Sequence, residues 1–197
     1  TGGNVLGNYK ESIAIIIPAL DPDERMVSLV GQLHDDGFSN IILVDDGSLI
    51  ANRKYFKTCK ETCHCKIIRH VVNFGKGIAL KSAFNYILEQ RPDIKGAVTV
   101  DCDGQHVLPD INTCAKLTYE HPDSLILGCR QFDDKEIPLR SRFGNKLTRQ
   151  MIRLLCGIHV SDTQTGLRGL PTPLIREHFA NVKGDRKSTR LNSSHHD

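Results

Sequence analysis

An α/β fold with a mostly parallel central sheet is predicted for this chain by three features taken together. Short continuous apolar runs alternate with segments of helical period, two of the runs end in acidic residues, and no internal repeat or linker breaks the alternation. Runs that are apolar at successive positions, rather than at every second one, are what strands covered on both faces require. At 197 residues with 39% hydrophobic content the chain is long enough for one such domain with a sizeable core.

The first run, Ile13-Ala14-Ile15-Ile16-Ile17-Pro18, reads as a buried strand. A helix is expected from Asp21-Pro22-Asp23-Glu24, with Asp21 as cap, Pro22 in the first turn and Glu24 closing a capping box. Met26, Leu29, Val30 and Leu33 continue it at helical spacing until Gly37 stops it. Ile41-Ile42-Leu43-Val44 is the second strand, so the opening is one βαβ unit. Lys66-Ile67-Ile68-Arg69 is a third, short strand, and Leu80, Ala83, Phe84, Ile87 and Leu88 mark an amphipathic helix after Gly75-Lys76-Gly77. Gly96 to Val100 gives a fourth strand, Pro109 opens a helix carrying Ile111, Ala115 and Leu117, and Ser124 to Gly128 supplies another strand. From Pro138 to Cys156 a longer helix is expected, with a basic face of Arg140, Arg142, Lys146, Arg149 and Arg153.

Charge and cysteine content narrow the function classes. A formal charge of +3 is no nucleic-acid footprint. No run of 18 apolar residues occurs, and the N-terminus lacks the basic and apolar regions of a signal peptide. Seven scattered cysteines fit reduced thiols in a cytosolic enzyme better than a disulfide framework. Cys59, Cys63 and Cys65 with His64 carry soft zinc ligands, but the second cluster that a structural zinc site needs is missing. Residues 185–197 resemble an in-frame translation of a sequencing adapter and are set aside as a non-native, disordered tail. Residues 1–184 are therefore expected to form the domain, incomplete at its C-terminus.

The chemistry gathers at two strand ends. The fourth strand delivers Asp101-Cys102-Asp103-Gly104-Gln105-His106, whose alternating carboxylates and amide are hard oxygen ligands suited to Mg²⁺ or Mn²⁺ with places left for phosphates. The second strand runs into Asp45-Asp46-Gly47-Ser48. Asp and Gly also make ordinary solvated turns, but two acidic strand ends on one side of a parallel sheet imply a shared site.

These motifs, with Ile17-Pro18-Ala19, Asn73-Phe74-Gly75-Lys76-Gly77 and Asp162-Thr163-Gln164-Thr165-Gly166-Leu167-Arg168, resemble in order and spacing the family 2 inverting glycosyltransferases of GT-A fold. The likeness, over about residues 12–184, is to those that act on polyprenyl or dolichyl phosphate, the dolichol-phosphate mannosyltransferases among them. It implies a Rossmann-like three-layer sandwich. It departs from the family at Asp21, where Asn is more usual.

The resemblance implies roles position by position. Pro18, Ala19, Asp21, Asp45, Asp46, Lys76 and Asp101 would bind the nucleotide sugar, the Asp46 carboxylate accepting a base N–H and Lys76 meeting donor phosphate. Asp101, Asp103 and Gln105 would hold Mg²⁺ or Mn²⁺. Arg130, Arg140, Arg142, Asn145 and Arg168 are the candidates for the acceptor phosphate, since the guanidinium fork suits phosphate oxygens. Asp101, Asp103, Arg142, Asp162 and Arg168 form the expected catalytic set, with Asp162 orienting the arginines. The implied reaction moves a hexose from GDP-mannose or UDP-glucose to a polyprenyl phosphate at the cytoplasmic face of a membrane, with peripheral membrane association and no nucleic-acid partner. Transfer to a saccharide hydroxyl in cell-surface polymer synthesis, or nucleotide-sugar binding without turnover, are the alternatives.

Overall fold

The computed structural model of the chain describes residues 9–127 and 167–177. The elements are α1 (Tyr9–Ser12), β1 (Ile13–Ala19), α2 (Glu24–Asp35), β2 (Ile41–Asp46), a 3₁₀ turn (Ile50–Asn52), α3 (Arg53–Cys63), β3 (Lys66–His70), α4 (Lys76–Gln90), β4 (Gly96–Thr99), α5 (Leu108–Glu120), β5 (Ile126–Leu127) and β6 (Arg168–Pro171). Residues 172–177 are helical. The helix expected over 138–156, the candidates Arg130, Arg140, Arg142, Asn145 and Asp162, and the tail lie outside the described residues.

Six strands form one sheet in the order β3-β2-β1-β4-β6-β5. β1 pairs in parallel with β2 and β4, β2 in parallel with β3, and β6 runs antiparallel to both β4 and β5. Alternation of side chains along each strand splits the core in two. Ile13, Ile15 and Ile17 face α2, α3 and α5 through Met26, Val30, Phe56 and Ile111. Ala14 and Ile16 face α4 through Leu80, Ala83, Phe84 and Ile87. Each fully buried Ile or Phe side chain contributes about 1.5–3 kcal/mol, so these two layers hold the sheet between its helices.

Three local differences from the sequence expectation have physical reasons. α2 begins at Glu24 and its cap is Asp23, whose carboxylate accepts the Arg25 N–H; Asp21 and Pro22 precede it. α3 was not anticipated, because its buried pair, Phe56 and Cys59, is too sparse in a segment otherwise polar and basic. β6 was not anticipated either, because Arg-Gly-Leu-Pro has no apolar run. Tertiary packing makes it a strand: Gly169 lies so close to α5 that a Cβ there would fall 1.8 Å from Thr118 Oγ1.

Gly47 joins the loops that follow β2 and β3. Its φ is +84°, and a Cβ would fall 2.4 Å from the Val72 carbonyl carbon and 2.5 Å from the Asn73 nitrogen. Both are backbone atoms that cannot swing aside. Gly47→Ala is expected to destabilise the domain by about 2–4 kcal/mol, from the left-handed φ and the clash together; a urea unfolding midpoint equal to the parent's would contradict this.

Candidate active site

A parallel sheet opens a crevice at its carboxyl ends where successive connections turn to opposite sides. Here that point lies between β1 and β4. Their ladder ends at Ile16–Thr99, with one further bond from the Val100 N–H to the Ile16 carbonyl. Pro18 and Ala19 continue β1 against β2 alone, paired with Val44 and Asp45. Both of these nucleotide-site candidates are buried.

Asp45 and Asp46 end β2 on opposite faces of the sheet. Asp45 is fully buried; its Oδ1 accepts the Ser48 N–H at 2.9 Å and its Oδ2 accepts Arg69 Nε at 2.8 Å. Asp46 is 4% exposed, and its carboxylate takes the Phe74 N–H at 3.0 Å and the Gly75 N–H at 2.7 Å, with His70 Nδ1 2.7 Å away. The other His70 nitrogen meets Ser82 Oγ on α4 at 2.9 Å. The carboxylate expected to accept a base N–H also takes these internal donors, because a buried carboxylate keeps its charge only where several donors surround it.

Asp21 bridges from β1 to the same loops. It is exposed and left-handed, with φ 49°. Its N–H donates to Ser48 Oγ at 2.9 Å, and its Oδ1 accepts the Leu49 N–H at 2.8 Å and Asn52 Nδ2 at 3.1 Å.

Across the crevice, the Lys76 ammonium hydrogen-bonds Asp101 Oδ1. His106 Nε2 lies 4.0 Å from Asp101 Oδ2. The His106 ring and the Lys76 ammonium hold the Asp101 carboxyl well below the usual carboxylate range, against burial, which acts the other way. Asp103 is half-buried; its Oδ1 accepts the Gln105 N–H at 3.0 Å, and its carbonyl faces Arg25 Nη1 at 3.4 Å. The three metal candidates therefore share one loop. Among the described residues no group of three or more His, Cys, Asp or Glu side chains could hold a metal ion. The chain itself supplies two carboxylates and one amide there, which suits a hard cation whose remaining positions go to phosphate oxygens and water.

Arg168 pairs across the sheet with Thr99, two residues before Asp101. It is 8% exposed, and burial pulls its guanidinium below the ordinary arginine range while the Asp101 charge acts the other way. Cys59 and Cys65 are buried and their thiols are pushed up to about 11 and about 12, a poor state for metal thiolates. Arg69, His70 and His106 are the partners that sequence reasoning missed. The signal for the first two was available in the strand period, which sets Arg69 beside Asp45 and His70 beside Asp46.

A carboxylate whose folded pKa is depressed stabilises the fold above its unfolded pKa, about 3.9 for Asp, and loses that contribution as pH falls below it. The stability gap between the parent and Asp101→Asn is therefore expected to be widest at neutral pH and to narrow below about pH 4. Urea midpoints at pH 7 and pH 3 measure it; a gap that widens in acid would contradict the Lys76–Asp101 contact.

Comparison with known proteins agrees with this geometry. Residues 15–179 match the model of glycosyl transferase family 2. An uncharacterised protein of Methanocaldococcus jannaschii, MJ1222, is 30% identical over 180 residues, covering 90% of this chain and 72% of that protein. The UDP-N-acetylglucosamine–dolichyl-phosphate N-acetylglucosaminyltransferase of Methanococcus voltae is 30% identical over 193 residues, covering 90% and 76%. The crystal structure of residues 1–349 of S. aureus TarS superposes with a TM-score of 0.56 at 14% identity, over 85% of this chain and 49% of that one, so the chain spans about half of it. The fold is GT-A, and the chain belongs to glycosyl transferase family 2.

Proposed function

We propose that this chain transfers a hexose from a nucleotide sugar to a polyprenyl phosphate, with inversion, at the cytoplasmic face of a membrane. The observation that carries the reading is the meeting of Lys76 with Asp101 at the crevice between β1 and β4. A lysine ammonium beside a loop with two carboxylates supports binding of a donor diphosphate, with its cation, at this crevice. The acceptor is supported by the Methanococcus voltae relative, whose own acceptor is dolichyl phosphate.

Asp101 and Asp103 would hold Mg²⁺ or Mn²⁺ with Gln105 beside them, and the cation would offset the charge that grows on the departing diphosphate. Lys76, on the first residue of α4, is placed to turn from Asp101 to a donor phosphate oxygen. Asp21, tied to Ser48, Leu49 and Asn52, fixes the loop that walls the nucleoside side.

A phosphate monoester has a second pKa near about 6, so the acceptor is already largely dianionic at neutral pH and needs no strong general base. Its oxygen attacks the anomeric carbon in line; the new C–O bond forms as the bond to the diphosphate breaks, the anomeric centre inverts, and a nucleoside diphosphate leaves. Positioning and charge stabilisation carry the reaction.

The test is a transfer assay in which GDP-mannose, UDP-glucose or UDP-N-acetylglucosamine is offered with a short-chain polyprenyl phosphate or a neutral saccharide, and products are read by mass spectrometry. A lipid-phosphate sugar from one donor is expected; transfer to the saccharide alone, or donor binding with no transfer to either, would overturn the reading. Asp103→Ala is expected to lower transfer by at least about a hundredfold, because it removes one of two candidate metal carboxylates. Undiminished transfer would remove Asp103 from the metal site.

A further inference from the structure

Among the described residues, all eight large apolar side chains that stand exposed follow the carboxyl ends of parallel strands. Leu49 and Ile50 follow β2, at 66% and 81% exposure; Val71, Val72 and Phe74 follow β3, at 90%, 53% and 53%; the other three come after β1, β3 and β4. None lies in the connections at the opposite end of the sheet. The β2 and β3 groups are neighbours, because Gly47 abuts the Val72 backbone.

Charge is concentrated beside them. Residues 47–75 hold six Lys or Arg against Glu61 alone, leaving 20 bases against 22 acids elsewhere in the chain. Arg53, Lys54, Lys57, Lys60 and Arg69 line a groove of about 500 Å³ between α3 and β3. Its floor is apolar, from Phe56 and Ile67. Arg53 and Arg69 point part of their donor set inward, to the Ser48 carbonyl and to Asp45. The three lysines turn outward: Lys54 rests 4.8 Å over the Tyr55 ring, and Lys57 reaches Glu61 at 3.7 Å with both side chains exposed. An ion pair of that kind contributes little.

We propose that the apolar rim at the carboxyl end of the sheet, with the lysines of α3, docks on an anionic bilayer and turns the crevice toward it. Exposed aliphatic side chains flanked by cations suit the boundary of headgroup and acyl chain, and each cation near an anionic surface adds about 1 kcal/mol. A nucleic acid would match the lysines but leave Ile50 and Val71 without a role. The surface deepens the proposed use of a lipid phosphate, since a bilayer on this side presents that phosphate to the crevice where the donor would lie, and it rests on that reading for its purpose.

The test is cosedimentation of the whole 197-residue chain with vesicles of phosphatidylcholine, alone or mixed with phosphatidylserine. Binding to the mixed vesicles that weakens with salt is expected. The triple variant Lys54→Glu, Lys57→Glu, Lys60→Glu should lower partitioning about a hundredfold, and Ile50→Ser with Val71→Ser about tenfold. The three lysines are exposed on α3, beyond the loop that Asp21 fixes, so circular dichroism and nucleotide binding of the triple variant should match the parent. Equal partitioning of parent and variants, indifference to phosphatidylserine, or RNA binding that replaces vesicle binding would overturn the proposal. Loss of nucleotide binding in the parent would instead count against the donor site, which separates the two failures.

Discussion

Two adjacent carboxylates buried at the end of one strand constrain the rest of the site. Burying an ionised carboxylate costs several kcal/mol unless charge and hydrogen bonds surround it, and β2 ends in two of them. Because neighbouring side chains point to opposite faces, Asp45 must find its partners on the α3 side and Asp46 on the α4 side. Asp45 takes Arg69 and the Ser48 N–H; Asp46 takes His70 and the N–H groups of Phe74 and Gly75. Those bonds match the pairing of β3 with β2 and draw the loop after β3 down onto the sheet. They also set where α4 starts, and its first residue is Lys76.

From there the sheet topology completes the arrangement. β4 lies on the other flank of β1, so the loop that follows it brings Asp101 to Lys76 across the crevice. Asp21 reaches back from β1 to the β2 loop, which closes the ring of contacts. Fold and site are thus linked through a few charges: the acids that cannot be left unpaired inside the sheet are those that aim the cation outside it. The exposed apolar side chains stand at the same end of the sheet as these charges.

Much of this was legible in the sequence. The parallel strands were readable because they are apolar at successive positions, and the order of motifs pointed to the family. Helix α2 was placed but its start was not: Asp21 and Asp23 both suit a cap, and only the loop contacts of Asp21 decide between them. α3 and β6 escaped because one has few apolar residues and the other owes its strand to packing against Thr118. Asp45 and Asp46 were recognised as important, but the inward role of Asp46 depends on donors that β3 and its loop supply through the fold. The same holds for Lys76 and Asp101, 25 residues apart and joined only by topology.

Calorimetric titration of UDP and GDP into the whole chain, with and without Mn²⁺, is the most direct measure of whether the Asp101–Lys76 crevice is a donor site. Binding of one nucleotide that requires the metal is the expected result. Equal binding with and without Mn²⁺, or binding of neither nucleotide, would contradict a metal-assisted diphosphate site at this place.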